Sequence, residues 1–269
     1  MLFDFVFFKK ENYSFLEVML VGFFYSSISI FLSYLSFKEY ASLFSVFLTT
    51  LSLIPFVVSR IKNDEFLDFK LKQSSRILLV HSDTLLLFMA MFMGISLSYM
   101  TWYTLVDFQL RPLLFEAQTN IVNKINGRFS NFFKSSIFIG ILSNNLKVLS
   151  FVAIFGLLYG FGSLFILVWN ASVLGYALGN YFLNLLNSGF AMALSRSFLR
   201  YFTHGLLEIL AYFVASLASG IIFMALVRKD FRRANFNIIL RDVIELFTIA
   251  IVILVVAAFI EVYITPFFY

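Results

Sequence analysis

Seven mostly apolar runs follow one another along this chain, at residues 18–37, 41–59, 84–105, 146–160, 163–186, 202–227 and 243–264. An α-helix rises about 1.5 Å per residue, so about twenty such residues cross the roughly 30 Å hydrocarbon layer of a bilayer. Inside lipid, every backbone N–H and C=O must find its partner within the protein, and an isolated run of this length does so as a helix. The expected fold class is therefore all-α: a polytopic transmembrane helix bundle of about seven spans, with short interfacial helices beside them. Composition agrees. Charged residues make up 13% of the chain, against about 25% in soluble domains, too few for a water-facing surface. The net charge of +5 comes from basic residues in short loops. These suit anionic headgroups, so the lipid bilayer is the expected partner and nucleic acid is not. With no cysteine, the chain can form no disulfide and offers no thiolate nucleophile.

Taken in order, residues 1–13 mix bulky apolar and charged side chains and read as an interfacial helix. Lys38-Glu39 is a turn so short that the spans on either side must be antiparallel neighbours. Residues 60–83 carry the densest charge and read as a cytoplasmic helical segment lying on the membrane. Residues 115–129 place Ile121, Ile125 and Phe129 on one face of an amphipathic helix. Residues 131–142 are apolar but too short to span, which suggests a re-entrant or interfacial piece. Asn144-Asn145 then suits the N-cap of a fourth span. The apolar stretch that follows is about twice a single span, and Gly156, Gly160 and Gly162 mark a hairpin within it. The fifth span shows a small-residue seam, Ala171, Gly175 and Gly179, and a polar row, Ser172, Tyr176, Asn180 and Asn184, that can line a wet cavity. Arg196 and Arg200 read as part of a linker before the sixth span. The domain division is 1–83, an extension with two spans and a charged cytoplasmic segment, and 84–269, the main membrane domain. Seven spans with the N-terminus in the cytoplasm place 12 of the 20 Lys and Arg residues inside and the C-terminus outside.

A carboxylate within a span is costly unless it meets protein or water. His204 and Glu208 stand one helical turn apart, and the same face continues through Ala211, Ala215 and Ser219, small residues that admit a neighbouring helix. Glu261 shares its face with Ala250, Ala257 and Ala258. The topology sets Asn144, Asn145 and Lys147, and the far end of the fifth span with Asn180 and Asn184, at a similar level. The expectation is one buried polar network of Asn144, Asn145, Lys147, Asn180, Asn184, His204, Glu208 and Glu261. Such a network can hold helices in register, bind a ligand group or relay protons. His204, Glu208 and Glu261 would also form a three-ligand zinc set, a weaker idea with no HExxH signature and only His81 and His204 in the chain. P-loop, GxSxG and dinucleotide fingerprints are absent. No catalytic residue, cofactor or metal is expected, and the chain reads as a non-enzyme.

Three ordered motifs carry a resemblance. They are Asn144-Asn145-Leu146-Lys147, with the glycine cluster, Asn170 and Leu174-Gly175 after it; His204-Gly205-Leu206-Leu207-Glu208, which looks like an "HGxxE" motif; and Ile260-Glu261-Val262-Tyr263-Ile264-Thr265-Pro266, which looks like an "IEAxxTP" ending. Together they resemble the stage II sporulation protein M family, and the chain with its two-span extension looks most like archaeal members. The resemblance implies a multi-pass protein of the cell membrane. In spore-forming bacteria the family member anchors the stage II sporulation proteins D and P, which remodel peptidoglycan, and is not itself the hydrolase. It also marks Asn145, Asn170, His204, Gly205, Glu208, Glu261 and Pro266 as motif residues. The expected function is thus a scaffold that assembles membrane or envelope partners, and self-association is compatible with the small-residue seams. The alternative is a transporter or permease-like component with His204, Glu208 and Glu261 along a buried polar path.

Overall fold

The computed structural model describes residues 13–70, 82–128, 134–160, 162–227, 229 and 236–268. Among these every regular element is helical: α1 Phe15–Ser36, α2 Ala41–Lys70, α3 Ser82–Leu105, α4 Arg111–Arg128, α5 Lys134–Tyr159, α6 Gly162–Leu185, α7 Phe190–Val227 and α8 Phe236–Tyr263, with 3-10 turns between some of them. All but α4 are long and apolar enough to cross a membrane, giving the seven spans of the expected all-α bundle. Residues 1–12 of the interfacial helix expected at 1–13, and the part of the charged segment at 71–81, lie outside the described residues.

Local chemistry sets the helix limits. Ser14 caps α1 by accepting from the Glu17 N–H at 3.3 Å, while the Glu17 carboxylate accepts from the Ser14 N–H at 2.8 Å. The chain then turns at Lys38–Tyr40, where Phe37 stacks on Phe44 at 3.9 Å, and α2 runs back against α1. Gly160 closes the α5–α6 hairpin at φ 65°, a left-handed conformation that costs glycine little. The glycine cluster had marked this hairpin.

Two boundaries depart from the sequence expectation. Of the re-entrant piece expected at 131–142, residues 131–133 lie outside the described residues, and residues 134–142 form no separate piece but continue into the fourth span as α5. Asn144 and Asn145 consequently lie inside that helix and cap nothing. Polar side chains are tolerated there because a helix can turn them towards protein or its own carbonyls. Arg196 and Arg200, expected in a linker, belong to α7, which extends over 38 residues. Nothing between Phe190 and His204 breaks a helix; the break falls at Gly189, with φ 102°. At about 57 Å, α7 is far longer than a bilayer's hydrocarbon layer is thick.

Close packing relies on missing side chains. A Cβ on Gly22 of α1 would collide with the Met91 carbonyl oxygen of α3, and a Cβ on Gly94 of α3 would collide with that of Met19 on α1. The seam on α6 likewise meets α3, with Gly175 against Ser96 and Tyr99 and Gly179 against Tyr103. Ser219 of α7 seats against Gly156 of α5, and Ala211, Ala215, Ala250, Ala257 and Ala258 are all at 0% exposure. The outside is apolar too. Leu16, Leu20, Phe24, Ile28, Phe31 and Leu35 form an exposed stripe along α1. In water such a stripe would drive aggregation; in a bilayer it is the face the lipid meets.

Candidate functional site

Helices α5, α7 and α8 lie side by side, and each brings a polar group to one place. On α7, His204 and Glu208 are a turn apart. From α5, the Asn145 amide donates to the Glu208 carboxyl, and Asn145 itself is only 5% exposed. From α8, the Glu261 carboxyl lies within hydrogen-bond reach of that of Glu208. A hydrogen bond between two carboxyl groups uses a proton on one of them. His204 Nε2 stands 3.8 Å from Glu261 Oε1, with the two side chains 12% and 30% exposed. The other ring nitrogen, Nδ1, is 3.2 Å from Thr265 Oγ1, which also lies 3.0 Å from the Thr203 hydroxyl. Thr265 is held in turn by donating to the Ile260 carbonyl at 3.1 Å. Tyr212, the next turn of α7 after Glu208, is buried close to both carboxyls.

Four of the eight expected members therefore meet: Asn145, His204, Glu208 and Glu261. The other four do not. Lys147 is exposed on the opposite face of α5, because residues two apart on a helix point in nearly opposite directions. Asn144 is half-buried and stands outside the cluster. Asn180 accepts from the Tyr103 hydroxyl at 3.1 Å, between α3 and α6, and Asn184 is exposed. Equal depth put these asparagines at the right level, but α6 turns that face towards α3 and α4.

The polar row on α6 is directed towards α3 and α4. Gln118 of α4 donates to Ser172 Oγ at 3.2 Å and to the Ser42 carbonyl at 3.3 Å, and the ring of Tyr103 packs edge-on against those of Phe115 and Tyr176. Of the motif residues, Asn170 donates to the Ile166 carbonyl on its own helix at 2.7 Å. Gly205 is buried, but a Cβ there would meet nothing within 4 Å. Pro266 is exposed in the turn after α8.

Thr203, Thr265 and Tyr212 are members that sequence reasoning missed. Tyr212 follows Glu208, and Thr265 follows Glu261, at four-residue spacing, and that periodicity was the available signal. Chemically, the cluster can pin three helices in register or hold and pass a proton. Among the described residues, no group of three or more His, Cys, Asp or Glu is placed to hold a metal ion. Thr265→Val is expected to free the His204 ring and the Thr203 hydroxyl and to cost about 1 kcal/mol. The measurement is unfolding of the purified protein in mixed micelles; an unchanged midpoint would remove Thr265 from the cluster.

The family model described as "Stage II sporulation protein M" matches residues 83–266, from the start of α3 to just past α8, with α1 and α2 lying before the match. No curated protein and no solved structure matches the chain.

Proposed function

The chain belongs to the stage II sporulation protein M family, and on that premise we propose that it is a non-enzymatic membrane scaffold that assembles partner proteins at the cell envelope. The observation that carries this reading is how the polar cluster spends its groups. Asn145, His204, Glu208, Glu261 and Thr265 are linked to one another across α5, α7 and α8. A buried network of this kind fixes helix positions, and the glycine contacts of α1, α3, α5 and α6 do the same elsewhere. A fixed arrangement is what a docking platform requires. The test is purification of the tagged full chain from native membranes in mild detergent, with mass spectrometry of what accompanies it. The expected result is a small set of envelope membrane proteins, retained in Glu208→Gln. Recovery of the chain alone would remove the scaffold reading.

A transporter reading has one observation in its favour. Gln118 is fully buried, and its Oε1 and the Ser96 hydroxyl have no hydrogen-bond partner. Solute or proton flux in liposomes that disappears in Gln118→Leu would establish that reading instead.

A further inference from the structure

The contacts around Glu261 fix which nitrogen of His204 carries hydrogen. A carbonyl only accepts, so Thr265 Oγ1 gives its own hydrogen to the Ile260 carbonyl, 3.1 Å away. Towards the ring it then accepts, and the hydrogen of the 3.2 Å contact belongs to His204 Nδ1. In the neutral ring this leaves Nε2 bare, with its lone pair 3.8 Å from Glu261 Oε1. The result is a line of acid–base groups: His204, then Glu261, then Glu208, which accepts from the Asn145 amide.

The surroundings do not offset two ionised carboxyls. Among the described residues, α7 contributes Arg200, four residues before His204 and seated over the Tyr181 ring of α6 at 4.5 Å, and Tyr212 beyond Glu208. Helix α5 contributes the neutral Asn145 and turns Lys147 away, and the turn after α8 contributes the neutral Thr265. Tyr263 of α8 stacks on Phe259 at 4.8 Å. The hydrogen bond between Glu208 and Glu261 therefore lasts only while the pair holds a proton. Without it, two anions stand in contact two residues before α8 stops at Tyr263. This end of α8 is also held apart from the main core. Val243, Leu246, Ala250 and Leu254 of the same helix belong to that core, whereas Ala258 and Val262 form a small separate one with Ile141 of α5.

We propose that the junction is a pH-sensitive latch: a proton between Glu208 and Glu261 closes the end of α8 on α7, its loss in alkali lets the two carboxylates push that end away, and His204 Nε2 is the port through which the proton comes and goes. A proton on Nε2 acts in the same direction, because an imidazolium attracts the Glu261 carboxylate. The sign follows from linkage: the closed form binds more protons than the open one, so rising pH favours opening. The latch operates whatever the bundle assembles and does not rest on the scaffold reading.

The chain has no cysteine, so spin labels can be placed at Ile139→Cys on α5 and Phe267→Cys after α8, positions 67% and 83% exposed. The distance between them is measured by pulsed electron resonance on the full chain in lipid nanodiscs, in mildly acidic and mildly alkaline buffers. Expected is a short, narrow distance in acid and a longer, broader one in alkali, the ratio of the two changing by up to about tenfold per pH unit, as one proton requires. Glu208→Gln should keep the short distance throughout, since its amide donates to Glu261 without an added proton. The infrared band of a protonated carboxyl should accompany the short distance and vanish with it. The same distance in all buffers overturns the proposal, as does opening of Glu208→Gln equal to that of the unaltered chain, or an acid form without the protonated-carboxyl band. His81 and His204 are the two histidines of the chain, so isotope-labelled histidine in a His81→Gln background reports His204 alone by nuclear magnetic resonance. Protonated Nδ1 with bare Nε2 is expected in alkali; the opposite tautomer overturns the role of His204.

Discussion

Glu208→Leu is expected to destabilise the bundle by about 3 kcal/mol, and Glu208→Gln by only about 1 kcal/mol. Leucine matches the apolar surroundings but strands the groups that converge on the carboxyl: the Asn145 amide from α5 and the Glu261 carboxyl from α8. Each would then face hydrocarbon side chains with a hydrogen bond unmade, and the cost of an orphaned polar group exceeds the worth of the bond itself. Glutamine keeps both links, because its carbonyl oxygen accepts from Asn145 and its amide donates to Glu261. Reversible unfolding in micelles doped with a denaturing detergent separates the two variants. Equal and negligible shifts would mean that the cluster does not hold the three helices together.

The second large effect belongs to Gly94→Leu. Its Cβ would meet the Met19 carbonyl carbon at 2.8 Å and the Phe23 nitrogen at 3.0 Å, both backbone atoms that cannot rotate away. Overpacking a core commonly costs about 1–3 kcal/mol, and a clash with backbone belongs at or above the top of that range. Expected is separation of α1 from α3. The natural chain has no cysteine, so Ser27→Cys with Ser98→Cys makes a clean reporter across this interface, where the two hydroxyls lie 2.9 Å apart. A disulfide should form in that background and be lost when Gly94→Leu is added. Persistent cross-linking would show that α1 does not depend on the glycine contact. Gly205 is the contrast: with nothing within 4 Å of a new Cβ, the same class of residue is packed there by no such approach.

The spans were legible because hydropathy reads how much polarity a segment carries. It does not read where that polarity points. Ser143, Asn144, Asn145 and Lys147 interrupt the apolar count, which suggested a short piece followed by a new helix. The structure runs one helix through all of them, with Asn145 directed inward and Lys147 outward. For the same reason Arg196 and Arg200 read as a linker although nothing there breaks a helix. At the site, the four-residue spacing of His204 and Glu208 survives folding because it is local geometry. Asn180 and Asn184 show the limit. Depth along a span follows from counting residues, but the neighbour met at that depth depends on how helices are arranged around one another, and α6 turns Asn180 to Tyr103.

The order of residues in the cluster also bears on how the protein is made. A ribosome delivers α5 before α7 and α7 before α8. When Glu208 enters the membrane, Glu261 and Thr265 have not yet followed it there, and Asn145 is the one member from another helix already in place. The amide thus has a task during biogenesis that the finished structure conceals: it receives the carboxyl of an incomplete chain and shelters it from lipid until the last span arrives.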